Sequence, residues 1–180
     1  NEQDADLWNS GKIESPISNL VSYAGKALEN RNQVYWKVKV YTNKDETGWS
    51  TPAKFSVGLL NENDWSAKWI GLDKAFSWDN ETQHARLSAR YLRKEFNNQK
   101  QVKSAKAYIS GLGFYELYIN GQKIGDQVLA PGQTDYFKTV LYNTFDVTSY
   151  IKQGKNAIGT ILGNGRFYNM RQNFKPHKVK

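Results

Sequence analysis

The 180-residue chain carries 25 Lys/Arg against 17 Asp/Glu, a net charge of +8, and contains no Cys. It therefore holds no disulfide, thiolate zinc site or Cys nucleophile; no apolar run approaches the roughly 18 residues of a membrane span, and the polar start NEQDAD is not a signal peptide. Aromatics at 14%, with 6 Trp, 11 Tyr, 8 Phe and 14 Gly, exclude a disordered chain and point to an all-β fold with little helix.

The charge is unevenly spread. Residues 1–64 hold 7 Lys/Arg and 9 Asp/Glu, whereas 65–180 hold 18 and 8. A net −2 beside a net +10 predicts two units, 1–60 and 65–180, joined by a short linker over 58–64.

In the first unit the clearest strand runs from Val34 to Thr42, with Trp36, Val38 and Val40 on one face and Lys37 and Lys39 on the other. A polar turn over 43–48 leads to a last strand, Ala53 to Val57. Leu28 lies seven residues before Tyr35, the spacing of a sandwich corner at which a Tyr hydroxyl caps upstream backbone. Three or four strands make half a sandwich, so the expectation is that the first sheet begins before residue 1.

The second unit opens with a predicted strand, Trp65 to Gly71, followed by a polar stretch, 72–88, that has no period and reads as an exposed loop. Tyr91 to Phe96 is the next strand. The stretch Ala105 to Asp126 is the organising one: Ala105, Ala107 and Ile109 alternate with polar residues, and after Gly111-Leu112-Gly113 the alternation resumes with Tyr115, Leu117 and Ile119. Asn120-Gly121 then closes a two-residue hairpin, because both residues accept positive φ cheaply. Beyond the turn Leu129 to Gly132, a strand spans Val140 to Phe145, and Asp146 caps one helical turn that Gly154 closes. The strand Ala157 to Leu162 is apolar almost throughout and is expected to be buried on both faces.

Candidate chemistry is thin. Glu116, Asp126 and Asp135 are the acids an inverting glycosidase pair would draw on, but sequence spacing brings no two together. His84 and His177 are the two histidines, and neither sits near a nucleophile elbow. Gly111 and Gly113 lack the third glycine of a dinucleotide fingerprint and suit a bulge or tight crossing. Asn80-Glu81-Thr82 matches a glycosylation acceptor. The basic, aromatic stretch Arg166 to Lys180 is where nucleic acid would bind, although such charges occur on strand faces throughout, and solvation accounts for them. A saccharide would be held by an aromatic face beside amide, carboxylate and guanidinium groups. Asp135, Tyr136, Asn164, Arg166 and Tyr168 have that chemistry, in Gly-rich segments at strand ends. The competing reading is that Asn164 holds a left-handed turn while the aromatics pack. Asn120, Asp135 and Asn164 are candidate calcium ligands, short of the six or so oxygens needed.

In order and spacing, the segments YWKVKV, W-x-x-x-W-I, GLGFYELYINGQKIGD, LAPGQTDY, VLYNTFDVT and GKNAIGTILGNG resemble the N-terminal region of bacterial α-L-rhamnosidases, inverting glycoside hydrolases that remove terminal L-rhamnose. The resemblance covers nearly the whole chain. It implies a partial fibronectin type III-like sandwich followed by a jelly-roll β-sandwich, incomplete at Lys180. In some members that domain is a rhamnose-binding module using calcium. It places the catalytic (α/α)6 barrel downstream, so no catalytic residue is expected here and the role implied is a carbohydrate-binding or structural accessory module. Expected partners are rhamnose-containing glycans and downstream domains of the same polypeptide, with no nucleic acid and no membrane span. The expected location is exported, periplasmic or extracellular, with a cytoplasmic one left open. One departure stands out: where many members read GNGW, this chain has Gly163-Asn164-Gly165-Arg166, a cation in place of a stacking Trp. The alternatives are a protein-protein interface module, with Arg166, Phe167 and Arg171 facing protein, and a nucleic-acid-binding β domain.

Overall fold

The computed structural model describes residues 5–167 apart from 18, 46, 73, 75 and 78–87. The chain divides into two compact units, 1–68 and 69–180. All strand pairings are antiparallel, and helix among the described residues amounts to two 3-10 turns, Glu62–Asp64 and Thr148–Tyr150. The protein is all-β, and no described helix is long and apolar enough to cross a membrane.

In the first unit β1 (Gln33–Trp36) pairs with β2 (Ala53–Ser56). The strand predicted over 34–42 keeps a regular ladder only through Trp36. Beyond it the Val38 and Val40 amides donate to the Ser50 and Thr47 hydroxyls, while Ser50 and Thr47 amides return to the Val38 and Val40 carbonyls at 2.9 Å. Side-chain oxygens thus take the place of backbone acceptors. Val34 is buried, but Trp36, Val38 and Val40, predicted to share a half-buried face, are 50%, 47% and 51% exposed, because no second layer among the described residues covers a two-stranded ribbon. Tyr35 is also mostly exposed and does not act as the expected corner. Tyr23 does a similar job, donating its hydroxyl to the Lys26 carbonyl at 2.6 Å with its ring edge-on to Trp8.

The segment predicted to be a linker is fastened. The Asn30 amide accepts from the Leu60 N–H at 2.7 Å and donates to Asp64 Oδ2 at 2.5 Å, and Asp64 also accepts the Asn61 N–H at 2.9 Å. The Asn61 amide holds the Asp64 carboxyl below its ordinary range.

The second unit contains β3 (Arg90–Asn98), β4 (Lys106–Ser110), β5 (Phe114–Ile119), β6 (Gln122–Lys123), β7 (Tyr142–Asp146) and β8 (Gly154–Gly163). One sheet has the order β3-β8-β5-β6 and a second pairs β4 with β7. The predicted strand from Trp65 to Gly71 joins neither. Trp69 and Ile70 are 63% and 75% exposed, with no partner strand among the described residues. Most of the stretch 72–88 lies outside the described residues. Arg90 nevertheless secures its two ends, for its buried guanidinium donates to the carbonyls of Leu72, Lys74 and Ser88 at 2.8–3.2 Å and lies 5.0 Å from the Phe76 ring centre.

The two sheets enclose one core: Tyr115, Leu117, Ile119, Ile124, Ala130, Phe145 and Val147, flanked by Ala107, Ile109, Ile158 and Leu162. β5 supplies its centre because the period-two pattern turns Tyr115, Leu117 and Ile119 to one side and leaves Phe114, Glu116 and Tyr118 on the other. Leu117 and Ile119, 1% and 2% exposed, each contribute about 1.5–3 kcal/mol by leaving water. The Asn120-Gly121 turn has φ of 51° and 82°, the primed hairpin that the dipeptide predicts. β4 and β5, consecutive in sequence, belong to different sheets, and Gly111-Leu112-Gly113 carries the chain across. β8 is central but not buried on both faces: one side packs on the core and the other is half-exposed.

The far end of this unit is closed by amides. Asn120, at positive φ, donates to the Tyr150 carbonyl at 2.8 Å and Asn156 Oδ1 at 2.9 Å, and accepts the Ala157 N–H at 2.9 Å. Asn156, 3% exposed, accepts additionally from the Lys152 N–H and donates to the carbonyls of Lys152 and Gly154, each at 2.8–2.9 Å. Its four hydrogen-bonding positions are all filled.

Candidate functional site

The predicted saccharide residues sit on two segments that flank the start of β5. The first, 129–139, is pinned where the Tyr115 N–H donates to the Ala130 carbonyl at 2.8 Å and Pro131 is fully buried. Tyr115 itself donates its hydroxyl to Asn143 Oδ1 at 2.7 Å, and burial pushes its phenol pKa up to about 12. Asp135 then builds a turn. Its carbonyl accepts the Lys138 and Thr139 amides at 2.9 Å, Oδ1 accepts the Phe137 amide at 3.2 Å, and Lys138 Nζ stands 3.6 Å from Oδ2. The Thr134 hydroxyl donates to the Thr139 carbonyl across the same turn. Asp135 is thus the turn former its residue type suits.

The second segment, 163–167, leaves the end of β8. A Cβ on Gly113 would lie 2.7 Å from the Asn164 carbonyl oxygen, and Gly113 has φ of +104°, so only glycine lets the chain pass so close. The left-handed residue of the Gly-Asn-Gly turn is Gly165, φ +51°, and not Asn164.

The structure brings these segments together. Arg166 Nη1 donates to Gln133 Oε1 at 3.5 Å, and the Tyr136 and Phe167 rings meet edge to face at 5.8 Å. The Tyr136 hydroxyl is buried beside them and has no hydrogen-bond partner among the described residues. Tyr168 and Arg171 lie outside the described residues, as do His84, His177, the Asn80-Glu81-Thr82 sequence and the remainder of the basic tail.

Two predictions need correction or restriction. Asn120 cannot join Asp135 and Asn164 around one cation. It lies at the opposite end of β5 from Gly113 and the Asn164 turn, about 20 Å along a strand of this length, and its amide is committed to Tyr150, Asn156 and Ala157. Among the described residues, no group of three or more His, Asp or Glu draws together as a metal site. Glu116, one of the acids weighed for catalysis, accepts from Lys123 Nζ on one oxygen and the Tyr118 hydroxyl at 2.7 Å on the other, and Lys123 above all holds it below its ordinary pKa. A carboxylate so held stays ionised, unlike a general acid. Arg90 and Asn156 are the two buried polar residues among those described, and neither is among the site candidates read from the sequence.

Residues 1–61 match the family model described as "Rha78A-like, N-terminal immunoglobulin domain", and 100–180 match "Alpha-L-rhamnosidase N-terminal domain". The chain belongs to the N-terminal region of the α-L-rhamnosidase family. An α-L-rhamnosidase of Formosa agariphila is 41% identical over 189 residues, covering 97% of this chain and 20% of that protein. One from Alteromonas sp. is 36% identical over 162 residues, covering 89% and 18%. Among solved structures, an α-L-rhamnosidase from Dictyoglumus thermophilum aligns with a TM-score of 0.82 at 42% identity, over 94% of this chain and 20% of that one. The enzyme from Aspergillus terreus gives 0.71 at 30% identity, over 96% and 20%. The chain thus spans about a fifth of the relatives it matches. The first match is described as an immunoglobulin domain where the motifs suggested fibronectin type III. Both are two-sheet sandwiches.

Proposed function

We propose that this rhamnosidase N-terminal region is a non-catalytic accessory module of an exported α-L-rhamnosidase, and that its second unit, read as a jelly roll, engages rhamnose-containing glycans through the paired segments 132–136 and 163–167. The first unit, read as the closing strands of a fibronectin type III-like sandwich, acts as structural support. The observation that carries this reading is the approach of Arg166 to Gln133 beside the Tyr136–Phe167 ring pair. It sets a guanidinium, an amide and aromatic surface around Gly-rich backbone, the mixture a sugar's hydroxyls and C–H faces call for. Each sugar hydroxyl exchanges a bond to water for one to protein, worth about 0.5–1.5 kcal/mol net, so a monosaccharide affinity near millimolar, about −4 kcal/mol, is expected. Titrating the chain with L-rhamnose while following backbone amides by NMR tests it. Shifts at 132–136 and 163–167 support the reading; their absence at tens of millimolar, with and without calcium, defeats it.

A second reading is favoured by a specific observation. Val128, Leu129 and Phe137, on the same loop, are 81%, 70% and 81% exposed. Exposed apolar side chains on the loop that carries the site suit contact with other domains of the same polypeptide. Joining the chain to its downstream domains and measuring protection of these residues tests that reading.

A further inference from the structure

The outward face of the four-stranded sheet is a second surface, remote from the loop segments in chemistry and built differently. Cross-strand register sets two rows on it: Tyr91, Ile161 and Glu116, then Arg93, Gly159, Tyr118 and Lys123. These residues point away from the core because their neighbours in sequence, Tyr115, Leu117, Ile119, Ile158 and Leu162, point into it. From this face we infer a binding platform for a neutral saccharide chain, laid across β3, β8 and β5 with Tyr91 and Tyr118 as its aromatic contacts.

Three features carry the inference. Tyr91 is 77% exposed although it stands in the longest ladder of the sheet, so a large aromatic surface is offered to solvent on a rigid support. Gly159, between Arg93 and Tyr118, leaves the face open: a Cβ there would approach nothing closer than 3.8 Å. The third feature selects the occupant. The chain as a whole carries +8, yet the charges beside Tyr91 and Tyr118 cancel in pairs, and Lys155, a further cation on this face, stands away from them at the start of β8 opposite Asn97. Lys123 Nζ donates to Glu116, which also accepts the Tyr118 hydroxyl at 2.7 Å, and Arg93 donates to Glu95 at 2.6 Å. So paired a centre offers little field to attract a polyanion or a polycation. It still presents carboxylate oxygens with spare lone pairs beside ammonium and guanidinium N–H groups, so it meets hydroxyls that both donate and accept. Aromatic rings for C–H faces and paired charges for hydroxyls together match a neutral polyol. The inference rests on the accessory-module reading for the nature of the ligand, and not on the loop segments.

The test is an NMR titration of the whole labelled chain with a neutral rhamno-oligosaccharide and, in parallel, with an oligogalacturonide of similar length. Expected are amide shifts at 91–93, 116–118 and 159–161 with the neutral chain, and weaker effects with the acidic one. Tyr91→Ala should weaken binding about three- to tenfold, Tyr91→Phe should keep it, and Gly159→Val, which fills the open position with a strand-compatible side chain, should abolish it. Tyr91 is exposed, so its substitution leaves the core intact, and an unchanged spectrum elsewhere confirms that. Shifts confined to 132–136 and 163–167 would overturn the platform while leaving the loop reading standing, and shifts confined to the sheet face would do the reverse. Equal or tighter binding of the acidic oligosaccharide, or wild-type affinity in Tyr91→Ala, also overturns it.

Discussion

Asn156→Ala is the substitution with the best-defined cost. The side chain is 3% exposed and makes four hydrogen bonds, to Asn120 Nδ2, Lys152 N–H, Lys152 C=O and Gly154 C=O. Truncation strands all four partners at once. A buried polar group left unpaired costs about 1–3 kcal/mol, but the Lys152 and Gly154 groups lie in a turn that water can enter, so the low end applies to them. The expected loss is about 3–4 kcal/mol, a large part of the 5–15 kcal/mol that domains typically have. Asn156→Asp tests the chemistry apart from the volume. It keeps the two acceptor positions and replaces the NH2 group, with its two donors, by one oxygen facing the carbonyl oxygens of Lys152 and Gly154, so it should cost at least as much as Ala. Urea unfolding followed by far-UV circular dichroism measures both, with Asn97→Ala on the exposed side of β3 as a control expected within about 0.5 kcal/mol. A loss below about 1 kcal/mol for Asn156→Ala would refute the claim that this amide holds the β5–β6 and β7–β8 connections together.

Leu117→Ala should cost about 3–4 kcal/mol in the same assay, since the side chain is 1% exposed at the centre of the core and its neighbours come from both sheets. Gly113→Ala should destabilise by about 2 kcal/mol or more and broaden the amide signals of 163–165, whereas Gly163→Ala, whose Cβ would meet nothing nearer than 3.8 Å, should stay within about 1 kcal/mol; equal effects would show that the close crossing is not constraining. Tyr115 has a folded-state pKa raised from 10.0 to about 12, so its contribution is complete below pH 10 and is lost as pH rises toward 12. The Glu116 carboxylate also raises the Tyr118 phenol, so tyrosinate absorbance should show late-titrating phenols of which Tyr115→Phe removes one, and simultaneous ionisation of every tyrosine in the native protein would contradict it.

Local pattern was enough for some of this fold and not for the rest. The alternation of Tyr115, Leu117 and Ile119 and the Asn120-Gly121 turn are visible in the residues themselves, because side-chain parity and positive φ are local properties. Partner choice is not local. Nothing in AKAYIS or FYELYI says that they enter different sheets, and the apolar run 157–162 reads alike whether one face or two are covered. Trp65 to Ile70 has strand composition but no strand to meet among the described residues. At the candidate site, glycines and mixed polar-aromatic residues marked the two segments that do converge, Gln133 with Arg166 and Tyr136 with Phe167. Asn120 and Asn164, alike as amides next to glycine, turned out to lie at opposite ends of β5. The outward face escaped notice because its residues are spread over four strands between 91 and 123 and around 160, a grouping that only register creates.

The position of β8 between β3 and β5 has a further consequence for how the chain assembles. Among the described residues β3 has no other neighbour in its sheet, and its partners are 56 to 72 residues away in sequence, from Asn98–Gly154 to Arg90–Leu162. Such distant pairing is slow to find, and strand topologies of this kind fold in milliseconds to seconds. On a ribosome adding about 5–20 residues per second, β3 waits several seconds for its partner to be made. During that interval its whole edge is available to wrong partners, including the same strand of another nascent chain. Lys94, Arg93 and Glu95 in the middle of β3 are then an asset before folding as well as after it, because charges along an unpaired edge discourage strand-to-strand association between copies.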